Sequence, residues 1–212
     1  MKNSWTGGER AMPVLVVEKT DEKVEDLALA VHRCEAGAFE KLLERFEKPL
    51  FSYAHGILQN AFDAQEVVQD AMVRAHRALT RQYGEQQVAT LAVRPWLFKT
   101  VRNLCLNKRR SKTRALEQPL ESFDDGRIGP FVHASAAAEH DRREEAEMLR
   151  GALAMLPVEA RELIVLRFME EMSYGEIART IGATEAALRG KVFRSLKLLR
   201  DALETKGAVH AV

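Results

Sequence analysis

The sequence predicts an all-α protein of two small helical domains joined by a flexible linker. Apolar residues recur at three- and four-residue steps through two long stretches, residues 25–114 and 139–204. Between them, residues 115–138 lose that period and hold two prolines, two glycines and an acidic patch, the composition of a linker. Of the 212 residues, 46% are apolar and 30% charged, with only 6 prolines and 12 glycines, which suits a water-soluble helical chain.

Residues 1–24 read as a flexible leader, in which "VLVV" is long enough to pair as a short strand. Helical periodicity starts near Val24 and continues through Phe39, Leu42, Leu43, Phe46, Leu50, Ala54, Ile57 and Leu58. Pro49 divides this stretch, either kinking one helix or opening a second. "NAFD" then reads as a turn, with Asp63 as N-cap and Glu66 completing a capping box. The following helix, to about Leu79, turns Val67, Val68, Ala71, Met72 and Ala75 inward and Glu66, Gln69, Asp70, Val73, Arg74 and Arg77 outward. After a loop, "TRQYGEQQVAT", another helix opens near Pro95 with Leu97, Phe98, Val101, Leu104 and Cys105 inward.

In the second domain Leu149, Leu153, Met155 and Leu156 form one apolar stripe. Pro157 starts a further helix carrying Leu163, Ile164, Leu166 and Phe168. The stretch from Ser173 to Arg200 fits a helix-turn-helix: Ile177, Ala178 and Ile181 inward, Gly182 at a turn needing positive φ, and Thr184 as N-cap. Leu188, Val192, Leu196 and Leu199 hold its second helix on the core. Residues 205–212 read as a frayed tail.

A net charge of +1 hides strong segregation. Eight cations and no carboxylate lie between Arg94 and Arg114, and five cations face one carboxylate between Thr184 and Arg200. Fields from such clusters act over about 10 Å, so local charge decides what each element attracts. A solvated basic face accounts for either cluster alone. The pair, one of them on a helix-turn-helix, points to two contacts with one polyanion, DNA.

Other classes are excluded on residue grounds. No stretch reaches the roughly 20 apolar residues of a membrane span, and the apolar patch at Met12–Val17 is short for a signal peptide, so a cytoplasmic protein is expected. Cys34 and Cys105 form no C-x-x-C pair, and the six histidines lack ligand spacing, so neither metal nor cofactor is expected. No phosphate-cradling loop or nucleophile motif occurs.

Three segments together, "DAQEVVQDAMVRAHRAL", "RPWLFKTVRNLCLNKRR" and "LPVEARELIVLRFMEEMSYGEIARTIGATEAALRGKVFRSLKLLR", carry a family resemblance. The chain resembles the extracytoplasmic-function group of bacterial RNA polymerase sigma factors, over about residues 35–115 and 140–203. The resemblance implies a sigma region 2 helical bundle and a sigma region 4 helix-turn-helix. It implies core RNA polymerase (β′ and β subunits), promoter DNA and an anti-sigma protein as partners, with no chemistry of its own.

By the same resemblance Asp63, Glu66, Gln69, Asp70 and Arg74 dock on β′. Trp96, Lys99, Arg102, Asn103, Asn107, Lys108, Arg109 and Arg110 read and open the minus-ten element. Thr184, Glu185, Ala186, Arg189, Lys191 and Arg194 read the minus-thirty-five element. Two departures stand out: Asn107 replaces an Asp common in relatives, and Ala187 and Gly190 replace hydroxyl-bearing positions. A DNA-binding regulator that never joins polymerase, and an all-α enzyme without a motif, are the competing readings. The first domain discriminates them, since an ordinary regulator has no use for the Asp63 helix beside "VRNLCLNKRR".

Overall fold

The structure is a computed structural model that describes residues 23–116 and 138–210. The expectations for the leader, for residues 117–137 and for the last two residues lie outside the described residues. The described residues are helical and contain no strand: α1 (Val24–His32), α2 (Ala38–Leu58), α3 (Ala61–Arg77), α4 (Glu85–Ala89), α5 (Val93–Leu116), α6 (Ala138–Met155), α7 (Val158–Ile164), α8 (Tyr174–Ile181) and α9 (Glu185–His210). Single π-helical turns extend α3 through Ala78–Gln82 and α7 through Val165–Met169.

Helix α2 runs unbroken through Pro49. An interior proline costs about 3 kcal/mol, but Phe46, Leu50 and Tyr53 on either side of it are fully buried, and this packing outweighs the loss. Asn60, not Asp63, caps α3: its side-chain oxygen accepts the Asp63 N–H at 2.7 Å. The expected loop after α3 is itself mostly helical, as a π-turn and α4. Pro95 sits in the first turn of α5, where its missing N–H costs nothing.

In the second domain the helix-turn-helix forms as read. Gly182 takes φ 74° at the turn, and Thr184 Oγ1 accepts the Ala187 N–H at 3.4 Å. Ser173 and Glu176 cap α8 reciprocally. The buried stripe of α9 differs from expectation after Val192. It continues through Ser195 and Ala202 with Leu199 half-buried, while Leu196 is exposed. The Ser195 hydroxyl fits this stripe because it donates to its own helix, to Lys191 O at 3.0 Å. Met155 and Phe168, expected inward, are exposed.

The two domains dock on each other. One continuous apolar cluster joins the core of α1–α5 to Leu163, Val165, Leu166, Met172, Ile177, Leu188 and Val192 of the second domain. A smaller cluster, including Ala152, Leu156, Ala160, Ile164 and Ala202, ties α6, α7 and α9 together. Helix α7 and its π-turn lie between the two clusters, which is why every residue from Ala160 to Leu166 is buried.

Candidate nucleic-acid and partner interfaces

The face of α3 turned from the core is a narrow stripe. Phe62, Glu66, Gln69 and Val73 follow one another at four-, three- and four-residue steps and are exposed. Phe62 is 70% and Val73 49% exposed, so apolar side chains bracket the polar ones. Asp70 and Arg74 pair along the helix at 3.0 Å. Phe62 escaped the sequence reading, because a lone phenylalanine in the first turn reads as core; its phase relative to Glu66 and Val73 was the available signal.

Asp63 is placed differently from the rest of its set. Its carboxylate is buried and lies against α5, where Lys112 binds it closely and Lys108 Nζ sits at 3.2 Å. Lys108 also donates to Glu66 at 2.6 Å. Burial works against ionisation of Asp63, but hydrogen bonds from Lys112 and Lys108 outweigh it and hold its pKa below the ordinary carboxylate range. Asp63 thus fastens α3 to α5.

Helix α5 sorts its polar residues by face. Lys99, Asn103, Asn107 and Arg110 are exposed and follow at four-, four- and three-residue steps, with Trp96 at the head of the row. Trp96 is half-buried, its ring 5.9 Å from that of Tyr83. Phe98 belongs to the core, beside Tyr53 at 5.2 Å between centroids. Arg109 is exposed on a neighbouring face. Lys108 faces the acids of α3, and Arg102 turns toward α7. Cys105 is fully buried as expected, and burial pushes its thiol up to about 12, which keeps it protonated and inert.

On the helix-turn-helix, Thr184, Glu185, Ala186, Arg189, Lys191 and Arg194 are all exposed. The Arg189 guanidinium lies 4.9 Å from the centre of the Tyr174 ring. The Glu185 carboxylate packs beside Gly175 in the first turn of α8, so close that a Cβ there would stand 3.0 Å from its oxygen. Lys191 and Arg194 make no ion pair among the described residues. Among the described residues nothing demands glycine at position 190, where a Cβ would meet only the Arg194 side chain, at 3.5 Å.

Where the domains meet, polar groups not foreseen from the sequence come together. Tyr53 Oη donates to Glu162 Oε1 at 2.6 Å, and Arg102 donates to the same carboxylate from Nε at 2.6 Å and Nη2 at 3.5 Å. Burial, then the neighbouring Glu162 charge, raises the Tyr53 pKa well above its ordinary value, so the phenol stays a donor. Burial alone would lower the Arg102 pKa, but the bond to Glu162 and its charge raise it instead. Arg161 donates to Gly56 O at 2.9 Å across the interface and to Leu156 O at 2.9 Å within its own domain, while its Nε is buried without a partner.

At the other end Arg94 donates to the Glu170 carbonyl and lies 3.9 Å from Glu176. Burial pushes the Glu170 carboxyl up to about 7, with Arg94, 4.0 Å away, opposing. The signal for this interface was the run "LIVL" at residues 163–166, four consecutive apolar residues where a helix buried on one side only would alternate with polar ones.

No group of three or more His, Cys, Asp or Glu among the described residues could hold a metal ion. No helix among them is long and apolar enough to cross a membrane.

Comparison with known proteins matches residues 42–115 to the family Sigma-70 region 2 and residues 146–199 to Sigma-70, region 4. The ECF RNA polymerase sigma factor SigM of Mycobacterium tuberculosis (strain H37Rv) is 31% identical over 159 residues, covering 74% of this chain and 73% of that protein. The RNA polymerase sigma-H factor of Pseudomonas aeruginosa is 25% identical, covering 87% of this chain and 96% of its own. Among solved structures, CnrH in complex with the cytosolic domain of CnrY has a TM-score of 0.59 at 24% identity, covering 85% of this chain and 97% of that one. The sigma factor RpoE in complex with the anti-sigma factor NepR from Bartonella quintana has a TM-score of 0.62 at 21% identity, covering 80% and 98%. At these identities the two structures show a shared fold.

Proposed function

Because the chain belongs to the extracytoplasmic-function group of bacterial RNA polymerase sigma factors, we propose a division of labour among its exposed faces. As a sigma factor it binds core RNA polymerase and directs promoter recognition and transcription initiation. The region 2 match decides against a regulator that acts apart from polymerase.

The α3 stripe of Glu66, Gln69, Asp70 and Arg74, flanked by Phe62 and Val73, docks on the polymerase. Charged groups there give orientation, and the two apolar side chains give the desolvated contact that holds a protein partner. Asp63 supports this face from below through Lys108 and Lys112.

The outward row of α5 carries the reading of promoter DNA, and it is the observation on which this assignment rests. Asn103 and Asn107 both donate and accept, so they can pair with a base edge, while the exposed Lys99, Arg109 and Arg110 take the neighbouring phosphates. Trp96, half-buried against Tyr83, offers the edge of a ring to an unstacked base. Opening costs roughly 1.4 kcal/mol per stacked step, and capture of displaced bases along this row offsets it. The exposed start of α9 enters the major groove at the upstream element, with Arg189, Lys191 and Arg194 on phosphates or base edges and Thr184 and Ala186 at the helix start.

The chain performs no covalent chemistry in this reading; the polymerase does. It works in the cytoplasm, where core polymerase and DNA are found. An anti-sigma protein is its further partner, a role supported by the structural relative RpoE, held by the anti-sigma factor NepR. Sequencing the 5′ ends of transcripts made in vitro by core polymerase with this chain tests the function. Starts at defined promoters that core alone does not use are expected; identical starts with and without the chain overturn it.

A further inference from the structure

Helix α9 does not leave all its cations equally free. Tyr174, the first residue of α8, is half-buried and has two guanidiniums beside its ring. Arg189 of α9 lies 4.9 Å from the ring centre, and Arg167 of the preceding π-turn 5.3 Å. Neither forms an ion pair among the described residues. Arg167 is tethered: its Nη1 donates to Met172 O at 3.0 Å. Met172 is itself fully buried, with its N–H bonded to Leu166 O at 2.9 Å. The π-turn thus fixes Arg167, Arg167 steadies the ring, and Arg189 leans on the ring.

One turn earlier on α9, the Glu185 carboxylate packs against Gly175, the neighbour of Tyr174. Two successive residues of α8 therefore meet two residues of α9 that stand four apart and share a face. The paired contact sets the rotation of α9 about its axis as well as the direction of Arg189.

We propose that Tyr174 is a positioning residue for promoter reading. Its ring holds the Arg189 guanidinium in one orientation, so that the planar fork meets the edge of one base pair in the upstream element instead of ranging over nearby phosphates. This role rests on the reading of α9 as the helix that enters the major groove. The physical reason is preorganisation. An arginine stem has many rotamers, and freezing them on binding costs affinity. A stacked guanidinium has already lost part of that freedom, and its donors point in fixed directions that only a matching pair of base acceptors satisfies. The exposed Lys191 and Arg194 have no ring beside them among the described residues, so they suit phosphates, which carry no sequence.

Selection from a duplex promoter library randomised over the upstream element, with the chain bound to core polymerase, tests the role. Arg189→Ala should flatten the preference at one base pair and so mark the position that Arg189 reads. Tyr174→Leu, which keeps an apolar side chain but no ring, should lower discrimination there about tenfold and leave other positions within about twofold. Tyr174→Phe keeps the ring and should keep the parent's preference. Adding Tyr174→Leu to Arg189→Ala should change nothing further. Weakening spread evenly over all positions in Arg189→Ala or Tyr174→Leu overturns the proposal. So does a loss in Tyr174→Phe equal to that in Tyr174→Leu.

A second measurement needs no variant. NMR relaxation at the arginine Nε–H groups of the free chain should find Arg189 more ordered than the exposed Arg194 and Arg200. Equal mobility overturns the proposal, whether or not Tyr174→Leu folds. If the parent bound to core polymerase selects no upstream sequence, the assignment of α9 falls and this role with it, while an ordered Arg189 still establishes the stack.

Discussion

Helices α5 and α9 carry the chain's two runs of cations and use them differently. On α5, Lys108 and Lys112 close onto Asp63, Lys108 also onto Glu66, Arg102 onto Glu162, and Arg94 onto Glu170 and Glu176. On α9, Arg189 leans on the Tyr174 ring, and Lys191, Arg194, Lys197 and Arg200 point to solvent without an ion pair among the described residues. A run of basic residues is thus not one thing. Part of the α5 charge holds the first domain and its neighbour together, and only the outward row is left for DNA. On α9 almost the whole charge is available to a polyanion.

The largest test of this contrast lies at the Arg94 end of α5. Glu170 has a pKa near 7 when folded against an ordinary 4.5. The folded state therefore holds the proton more tightly, and stability is greatest at low pH, falls as pH rises from about 4.5 to about 7, and is flat above. The loss is at most about 3 kcal/mol. His55 works the other way, its pKa lowered by burial and by Arg150 and Arg161, so stability lost by its protonation returns as pH rises toward 6.5. Urea unfolding of the parent and Glu170→Gln across pH 4.5–8 isolates the first effect: the gap between them should widen in favour of the variant with rising pH. A constant gap would remove it.

Asp63→Ala comes next. It leaves Lys112 without its carboxylate and Lys108 with Glu66 alone, and should cost about 2 kcal/mol, less than a fully buried pair because Lys112 is half in water and Lys108 keeps one partner. The loss should appear as a lower urea midpoint. Retained stability combined with lost polymerase binding would instead make Asp63 a direct contact.

On α9 the same logic predicts no penalty. Gly190→Ala should stabilise by about 1 kcal/mol, since helix propensity improves and the new Cβ meets only ordinary contact. If thermal stability rises while upstream-element affinity falls, the glycine serves DNA approach. Lys191→Ala should leave stability within about 0.5 kcal/mol and weaken duplex binding uniformly across sequences, with a salt slope reduced by about one. Measured unfolding by Lys191→Ala would erase the distinction between the two helices.

Much of this was readable without coordinates. Periodicity located the main helices, Gly182 announced the turn of the helix-turn-helix, and Cys105 declared itself a core residue. The outward sides of Gln69 and Arg189 followed from helical phase, whereas Asn103 and Asn107 entered through the family resemblance. Where the reading missed, a longer-range partner intervened. Asp63 looked like an N-cap until two lysines 45 and 49 positions on claimed its carboxylate. Leu196 looked buried on a four-residue step until α9 followed Ser195 to Ala202 instead.

What the sequence by itself determined is therefore local: which segments are helical, which side of each is apolar, where the turns fall and which helices are basic. These depend mostly on spacings of three and four residues and on backbone preferences, which packing overrode only in places, as at Pro49 and along α9 after Val192. Only the tertiary structure decided that the two domains dock, that Glu162 meets Tyr53 and Arg102, and which cations of α5 remain for DNA. Those outcomes depend on contacts between residues 60 and 109 positions apart, and nothing in a local pattern encodes which charge a folded surface will bring to another.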